Sequence, residues 1–366
     1  MIPNGCVIDC RGCKHREWSM SESLDQKYNF LASKFSAWKD VLSPVVSAPE
    51  LQRWGYRHKT TLNARWSENG WQFGMMARDE LIDIAECPLH KQEVNQILDI
   101  LKSVLPTFNE FPLAFYVQAT AQVTLIVKSN RPQSCAWLTE EAKQKMNEFG
   151  VKGFWVHYNP SAGRRLYEKT HWELLFGEER SADSNGLLYG PGAFQQLIPS
   201  LYNQSLDEVC NFFNLTNLNA VVDLYCGTGT SMNRWVAFGS SVLGVEVSGE
   251  AIKCARLNVP TATILRGACR HRVPQIREWV KKALEFGKEV YLYVNPPRTG
   301  IEQEVLDWII GEGKPKRIAY LSCSAGTLSK NLWVLTQNGY SVKRLIPYDF
   351  FPQTIHVECL ALIERF

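Results

Sequence analysis

Ala220-Val221-Val222-Asp223-Leu224-Tyr225-Cys226-Gly227-Thr228-Gly229 is an apolar run that stops at two closely spaced glycines. Glycine belongs where a backbone leaves a buried strand, turns tightly and comes close to a ligand before a helix begins. Outward from this stretch, apolar strands alternate with helical patterns over residues 241–258, 289–300 and 317–331, and the chain closes on the alternating segment 355–366. That rhythm predicts a doubly wound α/β sheet over residues 186–366.

The glycine pattern lacks a third member, since Thr230, Ser231 and Met232 follow Gly229, and this disfavours a pyrophosphate. The next strand ends at Glu246, an acidic side chain placed to accept hydrogen bonds from ribose hydroxyls. A ribose without a pyrophosphate points to S-adenosylmethionine. The following strand runs into Asn295-Pro296-Pro297-Arg298, where the prolines stiffen the mouth of a site and Asn295 can face cofactor or substrate. An aromatic residue after Asn-Pro-Pro would signal methylation of an exocyclic amine; Arg298 stands there instead, which favours a carbon-directed reaction.

Cys323 ends the next strand at the same sheet edge. A pyrimidine C5 is too weak a nucleophile to attack a methyl sulfonium, whereas a thiolate added to C6 makes C5 reactive, so covalent catalysis divides one hard step into two. The thiol is expected to be acidified by positive charge or by the helix starting near Gly326. Glu358, an ionisable residue in an otherwise apolar closing strand, is the candidate base for the C5 proton. The alternatives are a small buried Cys323, a solvent-facing Glu358 and a structural His356.

Composition is that of an ordinary globular chain: 366 residues, 45% hydrophobic, 21% charged and a formal charge of +3. The length suits two or three domains. No run reaches the roughly 20 apolar residues of a membrane span, and no basic-then-apolar leader opens the chain, so a cytoplasmic location is expected. Eleven cysteines without a secretion signal argue for reduced thiols. Cys6, Cys10 and Cys13, closed by Cys87 before Pro88, have a spacing that can wrap an iron–sulfur cluster or hold a structural zinc. A radical S-adenosylmethionine motif is disfavoured, because no barrel follows. The other seven should mostly be small buried hydrophobes, Cys323 apart.

Residues 16–185 read as a smaller central α+β domain, with strand-like stretches at 58–66, 70–77, 115–129 and 153–159, a helical segment at 90–105 and a linker at 181–192. Arg53, Trp54, Tyr56, Arg57, His58 and Lys59 interleave cations with rings, as binding of single-stranded RNA requires; ordinary strand-edge charge is the rival explanation. Arg164, Arg165, Lys169 and Tyr167 form a second such patch.

Four motifs together, Asp-Leu-Tyr-Cys-Gly-Thr-Gly at 223–229, Asn-Pro-Pro-Arg-Thr-Gly at 295–300, Ser-Cys-Ser-Ala-Gly-Thr-Leu at 322–328 and His-Val-Glu-Cys-Leu at 356–360, resemble the RNA uracil-C5 methyltransferase family. Phe194-Gln195-Gln196 is similar to the family's Phe-x-Gln entry to the catalytic domain, and Tyr56-Arg57-His58-Lys59 to its Tyr-Arg-Asn-Lys segment, with His58 and Ile198 where asparagines are usual. The resemblance implies a class I (Rossmann-like) S-adenosylmethionine methyltransferase domain, Cys323 as nucleophile, Glu358 as base, and Gln196, Tyr225, Gly227, Glu246 and Asn295 at the cofactor. Asn295 replaces the more frequent Asp, and Thr230 stands where some members have Asn. It also implies a [4Fe-4S] cluster on Cys6, Cys10, Cys13 and Cys87 within an iron–sulfur segment at 1–15. The family's separate small β-barrel RNA-binding domain is not seen in the sequence. With Asn-Pro-Pro-Arg, this leans the substrate toward 23S ribosomal RNA, at a uridine in a loop or flipped out of its stack. A transfer-RNA substrate, an amine-directed methyltransferase and an iron–sulfur RNA-binding protein without catalysis are the alternatives.

Overall fold

The computed structural model describes residues 2–163, 166–168 and 171–366. The chain divides into two compact units: residues 1–17 with 50–197, and residues 18–49 with 198–366. This corrects the expected boundaries. Residues 18–49 do not belong to the central domain, because Leu31 of helix α1 (Met20–Lys34) and Phe35, the residue that caps it, are buried in the hydrophobic core of the second unit. Beyond α1 the chain runs along a strand of that unit, with Ser43 N donating to Leu345 O and Val46 N to Pro347 O. The helix is well started: Ser19 and Glu22 form a reciprocal capping box.

The first unit is a seven-stranded sheet with the order β3-β2-β1-β4-β5-β6-β7. Its strands are β1 (Lys59–Ser67), β2 (Gly70–Ala77), β3 (Glu80–Asp83), β4 (Leu113–Ala119), β5 (Gln122–Val127), β6 (Gly153–Tyr158) and β7 (Trp172–Gly177). Among the described residues of this sheet, only the β5–β6 pairing is parallel. Helices α2 (Gln92–Val104) and α3 (Glu140–Glu148) supply Ile97, Leu98, Leu101 and Met146 to a core with Phe73, Tyr116 and Phe154. The expected linker is instead a small hairpin, β8 (Ser181–Ala182) with β9 (Leu188–Tyr189), whose turn is closed by Asp183 and Gly186.

The second unit carries the doubly wound sheet. Its strands are β10 (Asn219–Leu224), β11 (Ser241–Glu246), β12 (Thr263–Arg266), β13 (Glu289–Val294), β14 (Arg317–Ser322), β15 (Tyr340–Tyr348) and β16 (Glu358–Arg365), in the order β12-β11-β10-β13-β14-β16-β15. The first five are parallel, and β16 lies antiparallel between β14 and β15. Helices α4 (Pro199–Phe213), α5 (Thr230–Val236), α6 (Gly249–Asn258), α7 (Cys269–Glu285), α8 (Gln303–Trp308) and α9 (Ala325–Thr336) complete it. Central strands buried along their length, such as β10, read as continuous apolar runs because both faces are covered. This is a class I S-adenosylmethionine methyltransferase fold with a mixed sheet. Among the described residues no helix is long and apolar enough to cross a membrane.

Candidate active site

The strand order reverses at β10, so the crevice outside the carboxyl ends of β10 and its neighbours is where such a sheet takes a ligand. Leaving β10, Tyr225, Gly227 and Gly229 all have positive φ, at 61°, 56° and 89°. The left-handed steps turn the chain sharply into α5. A Cβ on Gly227 would meet nothing within 4 Å, so this loop faces open space, whereas Gly229 is held close to Val259 and Ala255. Glu246, ending β11, ties the loop down: Gly227 N donates to its Oε2 at 3.0 Å, and Val247 N and Ser248 N donate to its Oε1 at 2.8 and 2.7 Å. The carboxylate thus shapes the loop, in addition to any ribose contact. Tyr225 donates toward Glu302 at 3.4 Å. Asn295 follows β13 at the same edge, its N–H directed at Leu224 O. Loop, acid and Asn295 suit a nucleoside-bearing cofactor.

Cys323 and Glu358 are brought together by strand register. Ser322 pairs with Cys359 in the β14–β16 ladder, so the next rung sets Cys323 opposite Glu358, and Glu358 itself pairs with Tyr348. Because β16 runs against β14, its first residue lies at the edge where β14 ends. Glu358 is 4% exposed, which removes the solvent-facing alternative, and Cys323 is half-buried. Burial and the Glu358 carboxylate push the Cys323 thiol up, while Arg298, through its charge and a hydrogen bond to the sulfur, pulls the other way. The net direction is opposite to the expected acidification, since burial outweighs the cation. The helix at this point is α9, capped by Ser324, whose hydroxyl accepts from Thr327 N.

Arg298 was read in the sequence only as a missing aromatic. Its charge lies beside the Cys323 sulfur, and the expectation of positive charge near a nucleophilic thiol was the signal that could have found it. Its loop is fixed by Thr327 Oγ1 donating to Arg298 O at 3.0 Å and by Gly300, which has φ of 83°.

Gln196 is a residue of the first unit; its carbonyl pairs with His58 Nε2 at 3.2 Å, and His58 Nδ1 pairs with Thr120 Oγ1 at 2.7 Å. Burial lowers the His58 pKa. The Arg53–Lys59 segment is not the exposed ladder expected: Arg53, Tyr56 and His58 are buried, and Lys59, its pKa lowered by burial to about 8, lies 4.8 Å from the Phe194 ring centroid. Arg164, Arg165 and Lys169 lie outside the described residues, while Tyr167 stacks on Trp172.

Cys6, Cys10, Cys13 and Cys87 share one electrostatic neighbourhood. Burial raises the Cys13 thiol to about 12, and Cys87, Cys10 and Cys6 add to this while Arg57 opposes it. Arg16 ties the loop by donating to the carbonyls of Val7, Ile8 and Cys10. Among the described residues no three potential ligands converge on one metal-ion position.

Residues 188–366 match the family model described as tRNA (uracil-5-)-methyltransferase. An uncharacterized RNA methyltransferase of Halalkalibacterium halodurans is 28% identical over 384 residues, covering 97% of this chain and 81% of that protein. One from Thermosynechococcus vestitus is 28% identical over 401 residues, covering 99% and 84%. Among solved structures, the Pyrococcus abyssi tRNA (uracil-54, C5)-methyltransferase in complex with S-adenosyl-L-homocysteine matches with a TM-score of 0.71 at 20% identity, covering 97% of this chain and 85% of that one.

Proposed function

We propose, for a chain whose residues 188–366 match the tRNA (uracil-5-)-methyltransferase family model, the S-adenosylmethionine-dependent methylation of uracil C5 in RNA to give 5-methyluridine. The protein is an RNA methyltransferase, and the observation that carries the carbon-directed reaction is the meeting of Cys323, Arg298 and Glu358 at one sheet edge.

S-adenosylmethionine, when bound, supplies an electrophilic methyl group. Tyr225, Gly227, Glu246 and Asn295 are the residues that would hold it. Cys323 adds as thiolate to C6 of the uracil, and Arg298 stabilises that thiolate against the burial that opposes it. The added electron density would make C5 the nucleophile that takes the methyl group, the sulfonium sulfur leaving as a neutral thioether. Glu358 then removes the C5 proton, and the C6–sulfur bond breaks to release the product and the thiolate.

Cys6, Cys10, Cys13 and Cys87 are the residues that would hold a [4Fe-4S] cluster, and the first unit is the proposed RNA-binding domain. The substrate is a loop uridine of 23S ribosomal RNA, a reading supported by the likeness of Asn295-Pro296-Pro297-Arg298 to the ribosomal branch. A transfer-RNA substrate is the second reading, favoured by the description of the matching family model. The site of action is the cytoplasm. Nucleoside analysis of ribosomal and transfer RNA from cells lacking the gene tests this: 5-methyluridine should vanish from 23S RNA and return with the wild-type gene but not with Cys323→Ala. Loss from transfer RNA alone selects the second reading.

A further inference from the structure

The surface where α1 ends and α9 passes carries a groove of about 530 Å³ that the reaction does not use. One wall holds Lys34, Ser36 and Trp38, and the other Ser329, Lys330 and Trp333. Trp333 is 58% exposed, unusual for so large an apolar ring on a helix whose other face is core. Trp38 is fixed: it breaks the helical geometry of its turn at φ −129° and packs partly on the core. Lys34 also lies over the exposed Phe30 ring at 6.0 Å, extending the basic and aromatic strip along α1. The lining contains two ammonium groups and no carboxylate.

We propose that this groove binds unpaired nucleotides flanking the target uridine, with bases against Trp38 and Trp333 and phosphates on Lys34 and Lys330. Rings between cations, without acids, fit a polyanion that presents flat aromatic faces. The position sets which nucleotides could reach it: α9 begins two residues after Cys323 and runs back toward the edge where β14 begins, so Trp333, roughly 12 Å along its axis, would meet nucleotides several positions from the target uridine. The inference rests on the RNA reading above and adds a second contact for the same molecule.

The test compares the shortest RNA hairpin that the wild-type protein methylates with the same hairpin bearing single-stranded flanks. Trp333→Ala should raise KM for the flanked RNA about tenfold, the loss of one stacked base, with kcat and both constants for the short hairpin unchanged. Trp333→Phe, which keeps a ring, should restore most of it. Lys34→Gln with Lys330→Gln should flatten the salt dependence of flanked-RNA binding by about 1.4 in log–log slope. Unchanged KM and salt slope for the flanked RNA in all variants would overturn the groove as an RNA site and leave an acidic protein partner as its occupant. Wild-type protein that methylates no RNA would instead overturn the underlying reading.

Discussion

Lys27 Nζ lies 2.5 Å from Asp349 Oδ1, and neither side chain has any solvent exposure. The lysine also donates to Phe351 O at 3.2 Å. This pair fastens α1 to the segment that leads from β15 through Gln353 and Thr354, both buried, to Glu358. Removing one partner strands a buried charge, which is far more costly than losing a surface pair. Lys27→Met should therefore destabilise the second unit by about 3 to 5 kcal/mol, and Lys27→Met with Asp349→Leu should recover much of that. Denaturant unfolding of the full chain, following the second unit by hydrogen exchange, measures both; equal stability of the single variant and wild type would contradict it.

Gly300 is a position where only glycine fits. Its φ is 83°, and a Cβ would lie 2.2 Å from the Thr327 methyl and 3.0 Å from Asn331 Oδ1. Gly300→Ala must displace either the Arg298 loop or the start of α9. A loss of about 1 to 3 kcal/mol in stability is expected, together with reduced methyl transfer. Unfolding midpoints and initial rates check it, and full activity at wild-type stability would refute the tight approach.

Asp223, fully buried below the glycine loop, has its pKa raised by burial from 3.8 to about 7, despite the Trp235 indole N–H donating to its Oδ2 at 2.7 Å. The folded state therefore keeps a proton that the unfolded chain releases. Stability from this group is complete below about pH 4 and declines as pH rises to about 7. Asp223→Asn should remove that decline. The observable is the difference between the two proteins' unfolding free energies across this range, and parallel curves would contradict the prediction.

Glu358→Gln should leave attack and methylation possible but block loss of the C5 proton. Turnover should fall by about 100- to 10,000-fold, and a methylated, covalently linked RNA–protein species should accumulate through Cys323. Gel mobility under denaturing conditions reads this directly. A variant that turns over normally, with no retarded band, would assign the base elsewhere.

Much of the catalytic unit was legible because strong local signals coincide with its topology: apolar runs for β10 to β14, glycines at 227 and 229, and chemistry-bearing residues at strand ends. What the sequence concealed is long-range. Nothing local in residues 20–35 tells which core receives Leu31 and Phe35, and the Phe194–Gln196 segment belongs to the first unit through contacts with His58, Lys59 and Thr120. The cation–ring alternation at 53–59 is equally mute about direction, because Arg53, Tyr56 and His58 are buried where an exposed strip was expected. Arg298 is unremarkable in sequence and acquires its meaning only from its contact with the Cys323 sulfur.

The central claim is a transient bond between Cys323 and C6 of an RNA uracil. Incubating the protein and S-adenosylmethionine with substrate RNA carrying 5-fluorouracil tests it most directly, because fluorine cannot depart from C5 as the proton does. The account predicts a methylated adduct that survives denaturation and maps by peptide mass to Cys323, absent in Cys323→Ala. Full methylation of ordinary uracil RNA by Cys323→Ala, with no adduct in the wild type, would contradict it.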